Sequence, residues 1–327
     1  MKRKDFLKLS SASALLFGLK SHSVSLYETN KPYDYKKNNS LYMGDFSAPK
    51  LDVVRVAFIG VGARGSGHAK QIAAIEGTEV VGICDFYNDL AEKSSYICQK
   101  IGNGKRHKNI AIYSGNKNKW KAMLEEAQPD AVFISTNWDN HALMAIESMK
   151  KNAHAFVEVP MATNLKDLWD IVNTSETTQK HCMMMENVNY GRDELMYLNM
   201  CRKGVIGEFL HAEAAYIHEL RFQMKEEVRG TGSWRTQHYA KSKGNLYPTH
   251  GLGPVAQYMN IARGDDNFST LISYSTPALG RKLYAEKNYD TDHKWNNIDY
   301  LNGDMNLSLI HISEPTRLLS ISDAVLW

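Results

Sequence analysis

Cysteine is scarce, with four in 327 residues, and Cys84, Cys98, Cys182 and Cys201 form no C-x-x-C pair and no metal-ligand spacing. That argues against a disulfide frame or a metal site and for buried thiols. Charge of one sign is also lacking: 39 Lys and Arg against 36 Asp and Glu leave a net charge of +3. The basic residues cluster only in Lys105-Arg106-His107-Lys108 and Lys117-Asn118-Lys119-Trp120-Lys121. Those runs read as solvated loops, so no nucleic-acid partner is expected. Long apolar runs are missing too, and no stretch is long enough to span a bilayer. What is present is ordinary globular composition, 43% hydrophobic and 23% charged, in a chain long enough for two domains.

The feature that organises the chain is Val53 to Asp85. An apolar run, Val53, Val54, Val56, Ala57, Phe58 and Ile59, suits a strand buried on both faces. It stops at Gly60-Val61-Gly62-Ala63-Arg64-Gly65, the G-x-G-x-x-G spacing. Gly60 permits the tight turn, Gly62 lets the backbone approach a pyrophosphate, and Gly65 allows close helix–strand contact. The helix that follows, with Ala69, Ile72 and Ala73 on one face, offers its N-terminus to phosphate. A second strand, Thr78 to Cys84, ends at Asp85. An acid there accepts from a ribose 2′-OH and repels a 2′-phosphate, which selects NAD over NADP. Strand, glycines, helix, strand and acid in one unit of this length predict a dinucleotide site.

Beyond Asp85 the alternation continues. The pattern predicts a helix over Asn88–Ile101, a strand Ile110–Tyr113, and a buried strand over residues 130–135 ending at Thr136-Asn137-Trp138-Asp139-Asn140-His141. A helix Asn140–Met149, a strand His154–Val157, a helix Leu165–Val172 and a strand His181–Met185 complete it. Repeated β–α units with short loops predict a doubly wound parallel sheet with right-handed crossovers. Ligands of such sheets lie beyond the carboxyl ends of the strands. Trp138, Asp139, Asn140, His141, Glu158, Val159 and Asn187 therefore join Gly60, Gly62, Arg64, Gly65 and Asp85 as candidate cofactor contacts. For Trp138 and His141, simple capping of the next helix is the alternative.

The ends of the chain read differently. Met1 to Leu19 has a basic start and a short apolar segment, the shape of a signal peptide, and Arg3-Lys4-Asp5-Phe6-Leu7-Lys8 resembles a twin-arginine motif with Lys4 at the second arginine. Residues 1–50 are thus expected to be a leader and linker, with export to the periplasm; a disordered cytoplasmic tail is the alternative. The run Leu307-Ser308-Leu309-Ile310-His311-Ile312-Ser313-Glu314-Pro315-Thr316-Arg317 resembles a translated sequencing adapter, so residues 307–327 are expected to be a non-native tail.

Several motifs carry a family resemblance. The glycine turn, Asp85, the loop Thr136–His141 and Glu158-Val159-Pro160 resemble the glucose–fructose oxidoreductase and inositol dehydrogenase superfamily. Most members have lysine where this chain has Val159, and an apolar side chain there cannot transfer a proton. Met184-Met185-Glu186-Asn187, Tyr216-Ile217-His218-Glu219-Leu220-Arg221, Trp234-Arg235-Thr236-Gln237-His238 and Gly244-Asn245-Leu246-Tyr247-Pro248-Thr249-His250-Gly251 resemble, more narrowly, glycoside hydrolase family 109. The resemblance implies a Rossmann domain over residues 51–186 and a truncated α+β domain over 187–306 with an open, mainly antiparallel sheet. Members of that superfamily often associate as homo-oligomers through that sheet's open face, a face that the truncation would damage here. The implied activity is an NAD-dependent α-N-acetylgalactosaminidase that oxidises C3 of the sugar transiently, eliminates at C1 and adds water, with no net redox and no metal.

Within that frame, His250 is the candidate proton-transfer residue, because imidazole titrates near working pH; a satisfied core or capping histidine is the alternative. Tyr247 and Tyr190 have phenols suited to orient or relay protons, and each is alternatively a packed aromatic. Arg235 offers a planar fork to sugar oxygens or, alternatively, a surface ion pair. Tyr216, Pro248 and Thr249 complete the expected substrate contacts, although period-2 alternation leaves open whether Tyr216 faces sugar or core. A net sugar dehydrogenase of the same superfamily is the second reading, and a non-catalytic sugar- or dinucleotide-binding protein the third.

Overall fold

A computed structural model describes residues 43–101, 106–262, 267–312 and 318–324. These lie in one contact unit, Ser40–Trp327; the leader through residue 42, including the twin-arginine-like motif, falls outside the described residues.

The first sheet forms from β1 (Val54–Ile59), β2 (Thr78–Cys84), β3 (Ala111–Tyr113), β4 (Ala131–Ile134), β5 (His154–Val157) and β6 (Cys182–Met184). Helices α1 (Gly65–Ala73), α2 (Asn88–Ile101), α3 (Lys119–Ala127), α4 (Trp138–Lys150) and α5 (Leu165–Thr178) alternate with them. All pairings are parallel, in the order β3-β2-β1-β4-β5-β6. That is the Rossmann order, and it places the switch point between β1 and β4. Val56, Ala57, Phe58 and Ile59 are all buried, as a two-faced apolar strand requires. Phe58, Phe133 and Phe156 stack in series across β1, β4 and β5, with ring centres 5.3 and 4.7 Å apart.

Two helices are longer than the pattern predicts. α4 starts at Trp138 because Asn137 keeps extended backbone at its N-cap. α5 continues past Val172 because Thr174, Thr177 and Thr178 donate their hydroxyls to the carbonyls four residues earlier. The usual competition of threonine with the helical backbone is thereby absorbed within the helix.

After β6, a 3-10 turn (Asn187–Tyr190) and α6 (Arg192–Arg202) lead to β7 (His211–Ile217), α7 (Gly232–Lys241), α8 (Pro248–Tyr258), β8 (Phe268–Ser275), α9 (Gly280–Asn288), β9 (Met305–Ile312) and β10 (Leu318–Ala324). The second sheet has the order β7-β10-β9-β8. Its β10–β9 and β9–β8 pairs are antiparallel and its β7–β10 pair parallel. β9 takes in Leu307–Ile312 of the adapter-like run, residues 313–317 lie outside the described residues, and β10 lies in the tail after it. α8 covers one face, where Leu252, Val255, Ala256 and Met259 pack with Ala212, Ala214 and Ile310. All eight residues of β8 are exposed, so the sheet is open on that side.

Candidate active site

The glycine turn lies at the switch point. Gly60 has φ +82°, and a Cβ there would sit 2.7 Å from the Ser135 carbonyl oxygen of the neighbouring strand end. Gly65 is tighter, since its Cβ would come within 1.9 Å of the Gly60 oxygen. Gly62 is different: a Cβ there meets nothing within 4 Å, so the missing side chain keeps space open in front of the helix N-terminus. Asp85 closes the turn from β2, its Oδ2 accepting from Val61 N–H at 2.8 Å and its Oδ1 from Tyr87 N–H at 2.9 Å. A carboxylate oxygen has lone pairs for more than one donor, so Asp85 remains able to accept from a ribose hydroxyl. These features fit a dinucleotide: an open cradle at a helix N-terminus and an acid beside it.

At the end of β5, Glu158 is reached from α1. His68 Nε2–H donates to its Oε1 at 2.6 Å, and Arg64 Nε lies 3.6 Å away. Burial works to raise the Glu158 carboxyl, but the His68 bond and the Arg64 charge outweigh it and hold the carboxyl below its usual range. Val159 is 7% exposed and brings only an apolar side chain. His141 is buried, and its ring spans the carbonyls of Thr136 and Pro160 at 3.1 and 2.7 Å. It therefore braces the loops after β4 and β5, and burial depresses its pKa. Asp139 stays largely exposed, 3.6 Å from His238. Asn140 bonds to the Asn137 side chain. Asn187, at the start of the 3-10 turn, is exposed.

Trp138 joins this crevice to the second domain. Its ring packs edge-on against Trp234 at 5.1 Å and Tyr247 at 5.6 Å, and lies 4.8 Å from His238. The Arg235 guanidinium sits 5.2 Å from the Trp234 ring, 5.5 Å from Trp138 and 5.6 Å from Tyr247, and Nη1 donates to Gln223 at 3.2 Å. It is thus held in an aromatic cage and makes no surface ion pair with a carboxylate among the described residues.

Tyr247, Pro248, Thr249 and His250 form the N-cap and first turn of α8. Asn245 Oδ1 accepts from Tyr247 N–H, and Asn302 Nδ2 donates to Gly244 O, which pins the entering loop. Pro248 occupies the first helical turn, where its missing N–H costs nothing. Tyr216 shares a β7 face with Ala212 and Ala214, against α8, and its ring reaches His250 at 4.5 Å. The Tyr247 ring is 5.7 Å from His250 and nearly parallel to it, at 8°. Burial pushes the Tyr247 phenol well above its ordinary pKa, so it works as a donor. Tyr190 is 49% exposed at the end of the 3-10 turn, apart from this ring stack.

Glu186, to which sequence reasoning gave no role, completes the cluster from the end of β6. It is 1% exposed, and its Oε1 lies 2.7 Å from His250 Nδ1. Trp234, His238 and His68 were likewise given no role; Glu186 carried a signal as a charged residue at the end of the half-buried strand β6.

Residues 54–186 match the oxidoreductase family with NAD-binding Rossmann fold, and residues 190–326 match the glycosyl hydrolase 109 C-terminal domain. The chain belongs to glycosyl hydrolase family 109. Among its family 109 relatives, Glycosyl hydrolase family 109 protein 1 of Akkermansia muciniphila is 60% identical over 84% of this chain and 56% of its own length. A Shewanella oneidensis protein named alpha-N-acetylgalactosaminidase is 50% identical over 94% of this chain and 66% of its own. The family 109 chain thus spans roughly three-fifths of the curated relatives it matches. A solved structure described as a putative myo-inositol dehydrogenase from Sinorhizobium meliloti shares its fold, with a TM-score of 0.62 at 14% identity, covering 84% of this chain and 70% of that one. The cofactor of the first domain is NAD.

Proposed function

We propose that the whole protein is a redox-neutral glycosidase that releases terminal α-linked N-acetylgalactosamine. The observation that carries this reading is where proton-transfer capacity lies. It is gathered at His250 and Tyr247, one aromatic contact from the cofactor crevice through Trp138, while position 159 holds a buried valine. The family membership and the name of the Shewanella oneidensis relative support the substrate class.

When bound, NAD supplies a hydride acceptor for C3 of the sugar and the hydride that later returns. Gly60, Gly62, Arg64 and Gly65 would hold its pyrophosphate and Asp85 its adenosine ribose, with Glu158 and Asn187 nearer the nicotinamide end. The chain's own residues do the rest. His250 takes the proton made acidic by a carbonyl at C3, and the Tyr247 phenol, kept protonated by burial, donates to oxygen. Arg235, fixed by three rings, presents its fork to hydroxyl or carbonyl oxygens and orients the sugar.

Stripping NAD from the protein and assaying an aryl α-N-acetylgalactosaminide tests this. Release of the phenol stops without NAD and returns with a catalytic quantity of it. Stoichiometric NADH with the glycosidic bond intact would refute the glycosidase and support a dehydrogenase.

The same reading includes a homo-oligomer through the open side of the second sheet, where Phe268, Leu271, Ile272 and Tyr274 are exposed, and export directed by the basic, apolar leader.

A further inference from the structure

We propose that Glu186 is the positioning residue of His250: it fixes the ring's tautomer and orientation and compensates the charge gained when the ring accepts a proton. This inference rests on the reading of His250 as the proton-transfer residue.

The geometry carries it. Glu186 follows β6, and its backbone is tied on both sides, N–H to Met184 O at 2.9 Å and carbonyl to Asn189 N–H at 3.2 Å. Its Oε1 accepts from Val188 N–H at 3.0 Å and lies 2.7 Å from His250 Nδ1. Among the described residues it is the one carboxylate within 4.0 Å of that imidazole. The other faces of His250 meet the rings of Tyr216 and Tyr247, and the Arg235 cation stands beyond Tyr247.

An ionised carboxylate only accepts, so the facing Nδ1 must carry the proton. Nε2, on the opposite edge of the ring, then bears the lone pair. Burial works to raise the Glu186 carboxyl, but the bonds from His250 and Val188 prevail and hold it below its usual range. The charge is therefore present whenever the site works. A buried carboxylate behind an imidazole is the arrangement that holds the correct tautomer in Ser-His-Asp triads. Here the need is sharper, because the proposed reaction asks one imidazole to accept a proton and later return it, and the same tautomer must serve both halves.

Capping alone does not account for the residue. The 3-10 turn needs one acceptor for Val188 N–H, which a short neutral side chain provides. A fully buried charge whose same oxygen faces His250 goes beyond that requirement.

The test uses the protein with NAD bound and its histidines labelled with ¹⁵N, the His250 signal being assigned by its loss in His250→Asn. The expected wild-type spectrum has Nδ1 protonated, and Glu186→Gln shifts the ring toward the Nε2–H tautomer. With an aryl α-N-acetylgalactosaminide, kcat falls on the order of 10²-fold in Glu186→Gln, within the range of general acid–base effects, while KM changes little. Glu186→Asp, which keeps the charge, recovers part of the rate and the Nδ1–H signal. NAD affinity stays at the wild-type level in both variants.

An Nε2–H tautomer in the wild type overturns the proposal without recourse to any variant. It is also overturned if Glu186→Gln lowers kcat, raises KM and weakens NAD together with an unchanged tautomer, since that marks a structural cap. If the wild type releases no phenol, the glycosidase reading fails, and the tautomer comparison still decides the role of Glu186.

Discussion

Gly62→Ala and Gly65→Ala separate two physical reasons for glycine in one motif. At Gly65 the added Cβ would lie 1.9 Å from the Gly60 oxygen, whereas ordinary contact begins near 3.4 Å. The turn must therefore yield by about 1.5 Å, a distance obtained from those two values. It gains nothing by moving toward β4, where the same Cβ would also stand 3.2 Å from Ser135 Cβ. It moves instead into the cradle. Overpacking of this kind costs about 1–3 kcal/mol of stability. Displacement of positioning groups by about 1 Å costs on the order of 10²-fold, which for NAD affinity is about 2.7 kcal/mol. At Gly62 the new methyl meets no protein atom, so the NAD-free protein should unfold within about 0.5 kcal/mol of wild type. NAD nevertheless binds more weakly, because the methyl occupies the space a pyrophosphate needs. Calorimetric titration with NAD and thermal unfolding without it measure both quantities. Equal destabilisation of the NAD-free protein by the two substitutions, or full NAD affinity in either, would refute the reasoning.

Other outcomes follow from the same structure. Arg235→Lys keeps the charge but loses the planar fork, and KM should rise about 10-fold, the cost of roughly one charge-assisted contact, with thermal stability nearly unchanged; an unaltered KM would remove Arg235 from the substrate site. Glu158 has a carboxyl held below its usual range, so its stabilisation is present above the unfolded carboxylate pKa and is lost as pH falls through the folded value. The gap in melting temperature between wild type and Glu158→Gln should be steady near neutrality and close in acid; a gap that widened in acid would contradict the assignment. Tyr247→Phe should lower kcat while leaving NAD affinity intact, as expected for loss of a buried donor that does not touch the cofactor cradle. Leu271→Asp on the open strand β8 should shift the protein toward monomer in sedimentation, and an unchanged oligomer would place the interface elsewhere.

Much of the first domain was legible because its signals are local. Glycine spacing, the two-faced apolar run of β1 and an acid at the end of β2 each follow from short-range geometry. The length of α5 was hidden because its last turn is built from threonines that normally argue against a helix. The face of Tyr216 was hidden for another reason: Ala212, Ala214 and Tyr216 alternate with Glu213, Ala215 and Ile217, and neither set is clearly polar. The Glu186–His250 pair was least legible. The two residues lie 64 positions apart, on a strand end and a helix start that only the folded chain brings together. His141 is an intermediate case. Its place in a loop at a strand's carboxyl end was legible, but not that its ring nitrogens reach the carbonyls of Thr136 and Pro160.

In the proposed reaction NAD serves a glycosidic cleavage and is not consumed. Turnover of an aryl α-N-acetylgalactosaminide in D₂O, with no cofactor added beyond what the protein carries, measures it most directly. The expected products are many equivalents of phenol and N-acetylgalactosamine carrying deuterium at C2, with no accumulating NADH. NADH accumulating in step with the sugar oxidised, with the glycosidic bond intact, would contradict that reaction.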